Sequence, residues 1–185
     1  MWRGFSPKTI ISLSYLQSAL SFVSGVTAKF AVSVYDTQVA LVKFGNNYRK
    51  IFTLATYKNR DDVMQAIRGV TRNGHTNHYS DLGDALSVTK AQLISTSYGR
   101  RLGANLVVIV VTSKTDSIAA SVRQNAQTLK ANGATIYAVG IGPLIPDSAL
   151  TTMATDDQHK FPVAGFGDLA ALQDVIVNSI CPAPG

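Results

Sequence analysis

A single cysteine occurs among the 185 residues, so no disulfide can close within the chain. Cys181 stands in Cys-Pro-Ala-Pro-Gly, either as a reduced thiol or as half of a bridge whose other half lies elsewhere. No stretch approaches the roughly 20 apolar residues that cross a bilayer, which excludes membrane insertion. The N-terminus lacks the basic-then-apolar pattern of a signal peptide, so export would be encoded outside this chain. Internal repeats and low-complexity runs are also missing, and this predicts one domain over residues 1–181 with a short Pro/Gly tail at 182–185.

Charge is sparse. With 15% charged and 46% hydrophobic residues, the chain has the apolar content for a sizeable core. Its net charge of +6 favours acidic partners, yet the cations are scattered, and pairs such as Arg49-Lys50 and Arg100-Arg101 read as solvated faces. Glycosaminoglycan stays open as a partner on this reading, and nucleic acid is not expected.

Catalytic patterns are lacking too. His75, His78 and His159 do not form a metal spacing and read as solvated loop residues. Asp156-Asp157 is one acidic pair without the alternating ligands of a calcium loop. Gly140-Ile-Gly142-Pro ends a strand without the lysine and hydroxyl of a phosphate loop, and no nucleophile elbow accompanies the abundant serines. An enzyme is not predicted.

What is present is periodicity. Leu13, Leu16, Leu20, Val23 and Val26 recur at helical spacing. Residues 39–44 and 49–54 flank Gly-Asn-Asn-Tyr and predict a β-hairpin. Asn59 is placed to cap a helix with Asp61 and Asp62 in its first turn and Arg68 in its last. A polar loop over 71–80 precedes a helix from Asp81 to about Ser97. Leu106–Thr112 opens with six consecutive apolar residues and predicts a strand buried on both faces, followed by a helix from about Asp116 to Lys130 that ends at Asn132-Gly133. A second buried strand runs over 135–142, Pro146 opens a short helix, Lys160–Val163 is a short strand, and residues 167–180 form a closing helix. One hairpin followed by alternating strands and helices predicts a doubly wound α/β fold: a mostly parallel central sheet, one antiparallel edge hairpin, and helices on both faces.

In that order, the segments Val39-Ala-Leu-Val-Lys-Phe44, Asp61-Asp-Val-Met-Gln-Ala-Ile67, Gly83-Asp-Ala-Leu86, Leu106–Thr112, Ala126-Gln-Thr-Leu-Lys-Ala-Asn-Gly133 and 135–142 resemble a von Willebrand factor type A domain. The resemblance covers nearly the whole chain. It implies a metal-ion-dependent adhesion site at the carboxyl ends of the strands, built from three loops of oxygen donors around Mg²⁺.

Tested loop by loop, the donors are depleted. Where the family has Asp-x-Ser-x-Ser, this sequence places Ser6, Lys8 and Ile10, and an ammonium repels a dication. At the second-loop threonine stands Ser80, or Thr76 if four residues are inserted, and either hydroxyl can ligate. Ser80 also suits the role of helix N-cap. Ser113 replaces the third loop's aspartate and Lys114 follows it; Asp116 is either a substitute donor or the acidic cap of the next helix. The resemblance therefore implies a degenerate site with no cofactor, Mg²⁺ being disfavoured, and a ligand face formed by Lys8, Thr76, Ser80, Ser113, Lys114 and Asp116.

By the same resemblance the chain is expected to be a noncatalytic interaction or adhesion module of a secreted matrix or cell-surface protein, with matrix proteins such as collagens as partners. An intracellular scaffold of the same fold and a polyanion-binding module are the alternatives. Only Met1–Phe5 remains for the family's central first strand, so the chain is expected to be truncated or artificially started. The family often pairs a cysteine ahead of that strand with one at the position of Cys181, which leaves Cys181 free or intermolecular here.

Overall fold

The computed structural model describes residues 13–44, 49–71, 82–113 and 120–181, with side chains from residue 16 onward. Six helices and five strands alternate as α1 (Leu13–Ala28), β1 (Leu41–Lys43), β2 (Arg49–Phe52), α2 (Arg60–Arg68), α3 (Leu82–Ile94), β3 (Leu106–Thr112), α4 (Ala120–Ala131), β4 (Ala134–Ile141), α5 (Asp147–Met153), β5 (Lys160–Val163) and α6 (Leu169–Ile180), with short 3₁₀ turns between some of them.

Strands β3, β4 and β5 form a parallel sheet in that order, with Leu106 opposite Ala134 and Ala138 opposite Lys160. β1 and β2 pair antiparallel as a separate hairpin among the described residues. The expected first strand at residues 2–5 lies outside the described residues.

Period-two alternation decides which face each strand residue serves. Leu106, Val108 and Val110 of β3 and Ala134, Ile136 and Ala138 of β4 enter one core with Leu86 of α3, Val122, Ala126 and Leu129 of α4, and Leu150 and Met153 of α5. The intervening Val107, Ile109, Val111, Tyr137, Val139 and Ile141 enter a second core with Phe22 and Val26 of α1 and Leu169 and Ile176 of α6. A smaller cluster of Phe52, Val63 and Ile67 seats α2 on the hairpin, with Leu20 and Val23 of α1 against it. Each such aliphatic side chain contributes about 1.5–3 kcal/mol on full burial, so the two faces of β4 hold the centre of the molecule together. β3, expected to be equally buried on both faces, is less covered on the side of α1 and α6, where Val107, Ile109 and Val111 are half-buried.

Helix ends follow the chemistry of their caps. Asn59 Oδ1 accepts the Asp62 backbone N–H at 2.9 Å, and Asp61 and Asp62 lie where the helix dipole favours negative charge. α4 ends at Gly133, whose φ of +82° is the left-handed turn a glycine makes without steric cost. In the last turn of α4, Lys130 Nζ donates to the Ala154 carbonyl at 2.9 Å, closing the end of α5 as well. The helix expected from Asp81 to Ser97 stops at Ile94, and a 3₁₀ turn over Thr96–Tyr98 continues the chain. Residues 114–119, the expected start of the helix after β3, lie outside the described residues.

Candidate ligand face at the carboxyl ends of the strands

Parallel pairing brings the ends of β3, β4 and β5 to one rim, since Thr112 lies opposite Gly140 and Ile141 opposite Val163. The apolar run Leu106–Val111 makes β3 rigid and delivers buried Thr112 and half-buried Ser113 to that rim. Beside them Gly142, with φ +81°, turns the chain out of β4, and its N–H donates to the Val163 carbonyl at 2.8 Å. Gly140 has to be small: a Cβ there would come within 2.8 Å of Ile145 Cγ2 and 2.9 Å of Leu150 Cδ2. The glycine pattern at 140 and 142 thus serves close packing and a turn.

The residues described at these three strand ends are Thr112, Ser113, Ile141, Gly142, Val163 and Ala164. Hydroxyls and backbone carbonyls are their only oxygen donors, and no carboxylate stands among these described strand-end residues. No group of three or more His, Cys, Asp or Glu side chains is assembled among the described residues. Of the residues expected at the ligand face, the structure describes Ser113 alone; Ser6, Lys8, Ile10, Thr76, Ser80, Lys114 and Asp116 lie outside the described residues.

Next to the second-loop segment lies a feature that sequence reading did not gather. Lys43, at the end of β1, donates to the carbonyl of Thr71 at 2.6 Å, tying the hairpin to the chain beyond α2. Lys43, Arg49 and Lys50 line a recess of about 250 Å³ with Ile51, Ala66, Gly69, Val70 and Thr71. Lys50 Nζ sits 4.8 Å from the centre of the Tyr98 ring, a cation–π contact that places the ammonium without neutralising it. The Arg49-Lys50 dipeptide was the only local signal, because Lys43 and Thr71 are far from it in sequence.

Two other expectations are corrected by packing. Arg101 is no solvated cation: its guanidinium donates to the carbonyls of Val34, Tyr35 and Asp36 and clamps the segment after α1. His159 is not a solvated loop residue either; its side chain is only 16% exposed, and its ring meets Tyr137 edge-on at 4.7 Å. His159 Nδ1 lies 2.7 Å from Asp156 Oδ1, and this hydrogen bond holds the Asp156 carboxyl below its ordinary value. His75 and His78 lie outside the described residues. Lys160 reaches Asp147 at 3.0 Å and Asp157 at 3.1 Å, and the hydrogen bonds to these carboxylates raise its pKa. The acidic pair 156–157 thus pairs locally with His159 and Lys160, while the contact of Lys160 with Asp147 joins β5 to α5. Cys181 carries a free, exposed thiol.

With this geometry in place, comparisons locate the chain among known proteins. The sequence profile of the von Willebrand factor type A domain matches residues 10–175. Human von Willebrand factor A domain-containing protein 2 is 30% identical over 161 residues, covering 87% of this chain and 20% of that protein. Mouse matrilin-2 is 29% identical over 165 residues, covering 88% of this chain and 17% of its own length. The human collagen alpha-5(VI) chain is 28% identical over 161 residues, 86% of this chain but 6% of that one. The chain therefore spans about a fifth or less of the length of these relatives. Among solved structures, proximal thread matrix protein 1 from the mussel byssus superposes with a TM-score of 0.82 at 24% identity, covering 92% of this chain and 43% of that one. A manganese-loaded Plasmodium vivax TRAP protein superposes at 0.67 and 13% identity over 85% of this chain and 65% of that one. At those identities the two structures speak for the fold alone.

Proposed function

The chain belongs to the von Willebrand factor type A domain family, and from that premise we propose that it is a noncatalytic interaction module of a larger extracellular matrix or cell-surface protein, binding other macromolecules without Mg²⁺. The relatives' names support the setting, since they include a matrilin and a collagen chain. Matrix proteins, collagens among them, are the partner class this reading takes. One domain over residues 1–181 followed by the Pro/Gly tail completes it, with Cys181 available for a bridge to another chain.

Ser113 carries the metal-free part of the reading. It follows the buried end of β3, where the family aligns a coordinating aspartate, and its hydroxyl brings no formal charge to a dication. In sequence, Ser6, Lys8 and Ile10 depart from the first loop in the same direction, two carboxylate-bearing loops each gaining a lysine with Lys8 and Lys114. A face of this composition is suited to meet an acidic group directly.

Isothermal titration with Mg²⁺ and Mn²⁺ tests the reading, the expected result being no 1:1 event. In parallel the variant Ser6→Asp, Lys8→Ser, Ile10→Ser, Ser113→Asp is expected to gain one. A saturable 1:1 event in the unaltered chain, abolished by Ser113→Ala, would refute metal independence.

A further inference from the structure

We infer that the recess between the hairpin and the end of α2 is a binding site for a sulfated polysaccharide chain. Charge is distributed unevenly along the sequence and therefore across the fold. Residues 38–104, which hold the hairpin, α2 and α3, carry ten lysines and arginines against four aspartates, whereas residues 105–185 carry four against six. The excess positive charge is concentrated further by strand register. Lys43 stands directly opposite Arg49 in the ribbon, and Lys50 opposite Val42. Lys43 is held at the Thr71 carbonyl, and Arg49 and Lys50 are the exposed cations of this part of the ribbon.

Arg49 and Lys50 are exposed, and neither makes an ion pair with a carboxylate among the described residues. Several described carboxylates are engaged elsewhere: Asp147, Asp156 and Asp157 with Lys160 and His159, Asp174 with Lys29 at 2.8 Å, Asp36 with Ser33 and Asp168 with the Gly165 N–H. Asp61 and Asp62 stand at the far end of α2, whose later residues Ala66 and Gly69 line the recess. Exposed Arg49 and Lys50 therefore border the recess on β2.

The partner's chemistry follows from what the hollow lacks. Protein interfaces are anchored by large exposed apolar or aromatic side chains, whereas the apolar residues of the recess, Ile51, Ala66 and Val70, are half-buried, and the exposed large hydrophobics of the described chain, Tyr35, Ile94, Leu102, Leu144 and Val175, do not line it. The nearby Tyr98 is covered by Lys50. Recognition by exposed cations over a half-buried apolar floor suits a ligand of repeated fixed negative charge. Choosing a sulfated glycan over a nucleic acid rests on the matrix setting proposed above.

A defined heparin decasaccharide, titrated into the full chain in EDTA at several salt concentrations, tests the inference. Removal of metal keeps this readout separate from the Mg²⁺ titration. Arg49→Ala, Lys50→Ala is expected to weaken binding at least about tenfold and to lower the log–log salt slope by roughly one per cation removed. The control Lys58→Ala, Arg123→Ala removes the same charge from exposed positions outside the recess and is expected to change affinity less than about threefold. Equal losses in the two double variants, unchanged binding in the first, or competition by desulfated heparin or poly-aspartate as effective as by heparin would each overturn the site. A short DNA duplex that binds more tightly than heparin would overturn the choice of glycan. Circular dichroism of each variant confirms that the fold is kept before binding is compared.

Discussion

Substituting alanine at two glycines separates backbone conformation from packing in this fold. Gly99 and Gly133 both have positive φ, +96° and +82°, so an alanine at either site incurs the left-handed strain of roughly 1–2 kcal/mol. Alanine also restricts the unfolded chain, which returns about 0.4–1 kcal/mol. At Gly133 that is the whole account, because a Cβ there meets nothing within 4 Å, and a net loss of about 1 kcal/mol is expected. At Gly99 a Cβ would lie 2.6 Å from the Ala55 nitrogen and 2.8 Å from its Cα. These are backbone atoms of the turn that follows β2, held by the Thr56 N–H to the Thr53 carbonyl at 3.1 Å, and no side-chain rotation can clear them. Overpacking of this kind costs about 1–3 kcal/mol more, for a total near 3 kcal/mol. For a chain of this size, Gly133→Ala should lower Tm by roughly 2–4 °C and Gly99→Ala by roughly 6–12 °C. Urea titration with unchanged m-values is the assay that converts midpoints to free energies. Equal losses at the two positions would refute the reasoning, because they would mean that contact between the 3₁₀ turn and Ala55 adds nothing.

The side chain of Gln92 in α3 is buried at 2% exposure, and neither its Oε1 nor its Nε2 has a hydrogen-bond partner among the described residues; Gln92→Met, of similar shape and without the desolvated amide, is expected to raise stability by about 1 kcal/mol, read as a higher urea midpoint. Asp156 has a folded pKa below its ordinary 3.8 because it accepts from His159, so its contribution is present above that value and is lost as pH falls through the folded pKa. Asp156→Asn should therefore flatten the loss of stability below about pH 4 in urea midpoints, and an unchanged acid limb would contradict the assignment. Lys160 has the opposite sign: its folded pKa lies above 10.5, so its pairing with Asp147 and Asp157 stabilises below that value and is lost as pH rises through the folded one. Lys160→Met should remove the alkaline slope measured the same way.

Much of the architecture was legible because it is written at short range. Leu106–Thr112 and residues 134–141 announce buried strands by composition, Asn59 and Asp61–Asp62 announce a helix start, and Asn132-Gly133 announces a helix end. Each of these rests on a preference that acts within a few residues. Burial of β3 was read too evenly, because an apolar run reports that a strand is covered without saying how well each face is. Of the residues expected at the ligand face, Ser113 follows the end of β3. Arg49 and Lys50 are exposed, as their reading as a solvated face expected, but their meeting with Thr71 and the end of α2 around one recess was not legible in the dipeptide.

The sequence by itself determined the order and type of the elements and the chemical identity of the residue that follows each strand. Covalent geometry makes side-chain direction repeat every two residues in a strand and every 3.6 in a helix, and that periodicity needs no distant partner. Only the tertiary structure decided that Lys43 meets the carbonyl of Thr71, that Arg101 clamps residues 34–36, that His159 packs on Tyr137, and that Gln92 is buried without a partner among the described residues. Those relations join groups brought together by sheet order and helix packing. Electrostatic and hydrogen-bond energies depend on separation in space, which the spacing of residues along the chain does not specify.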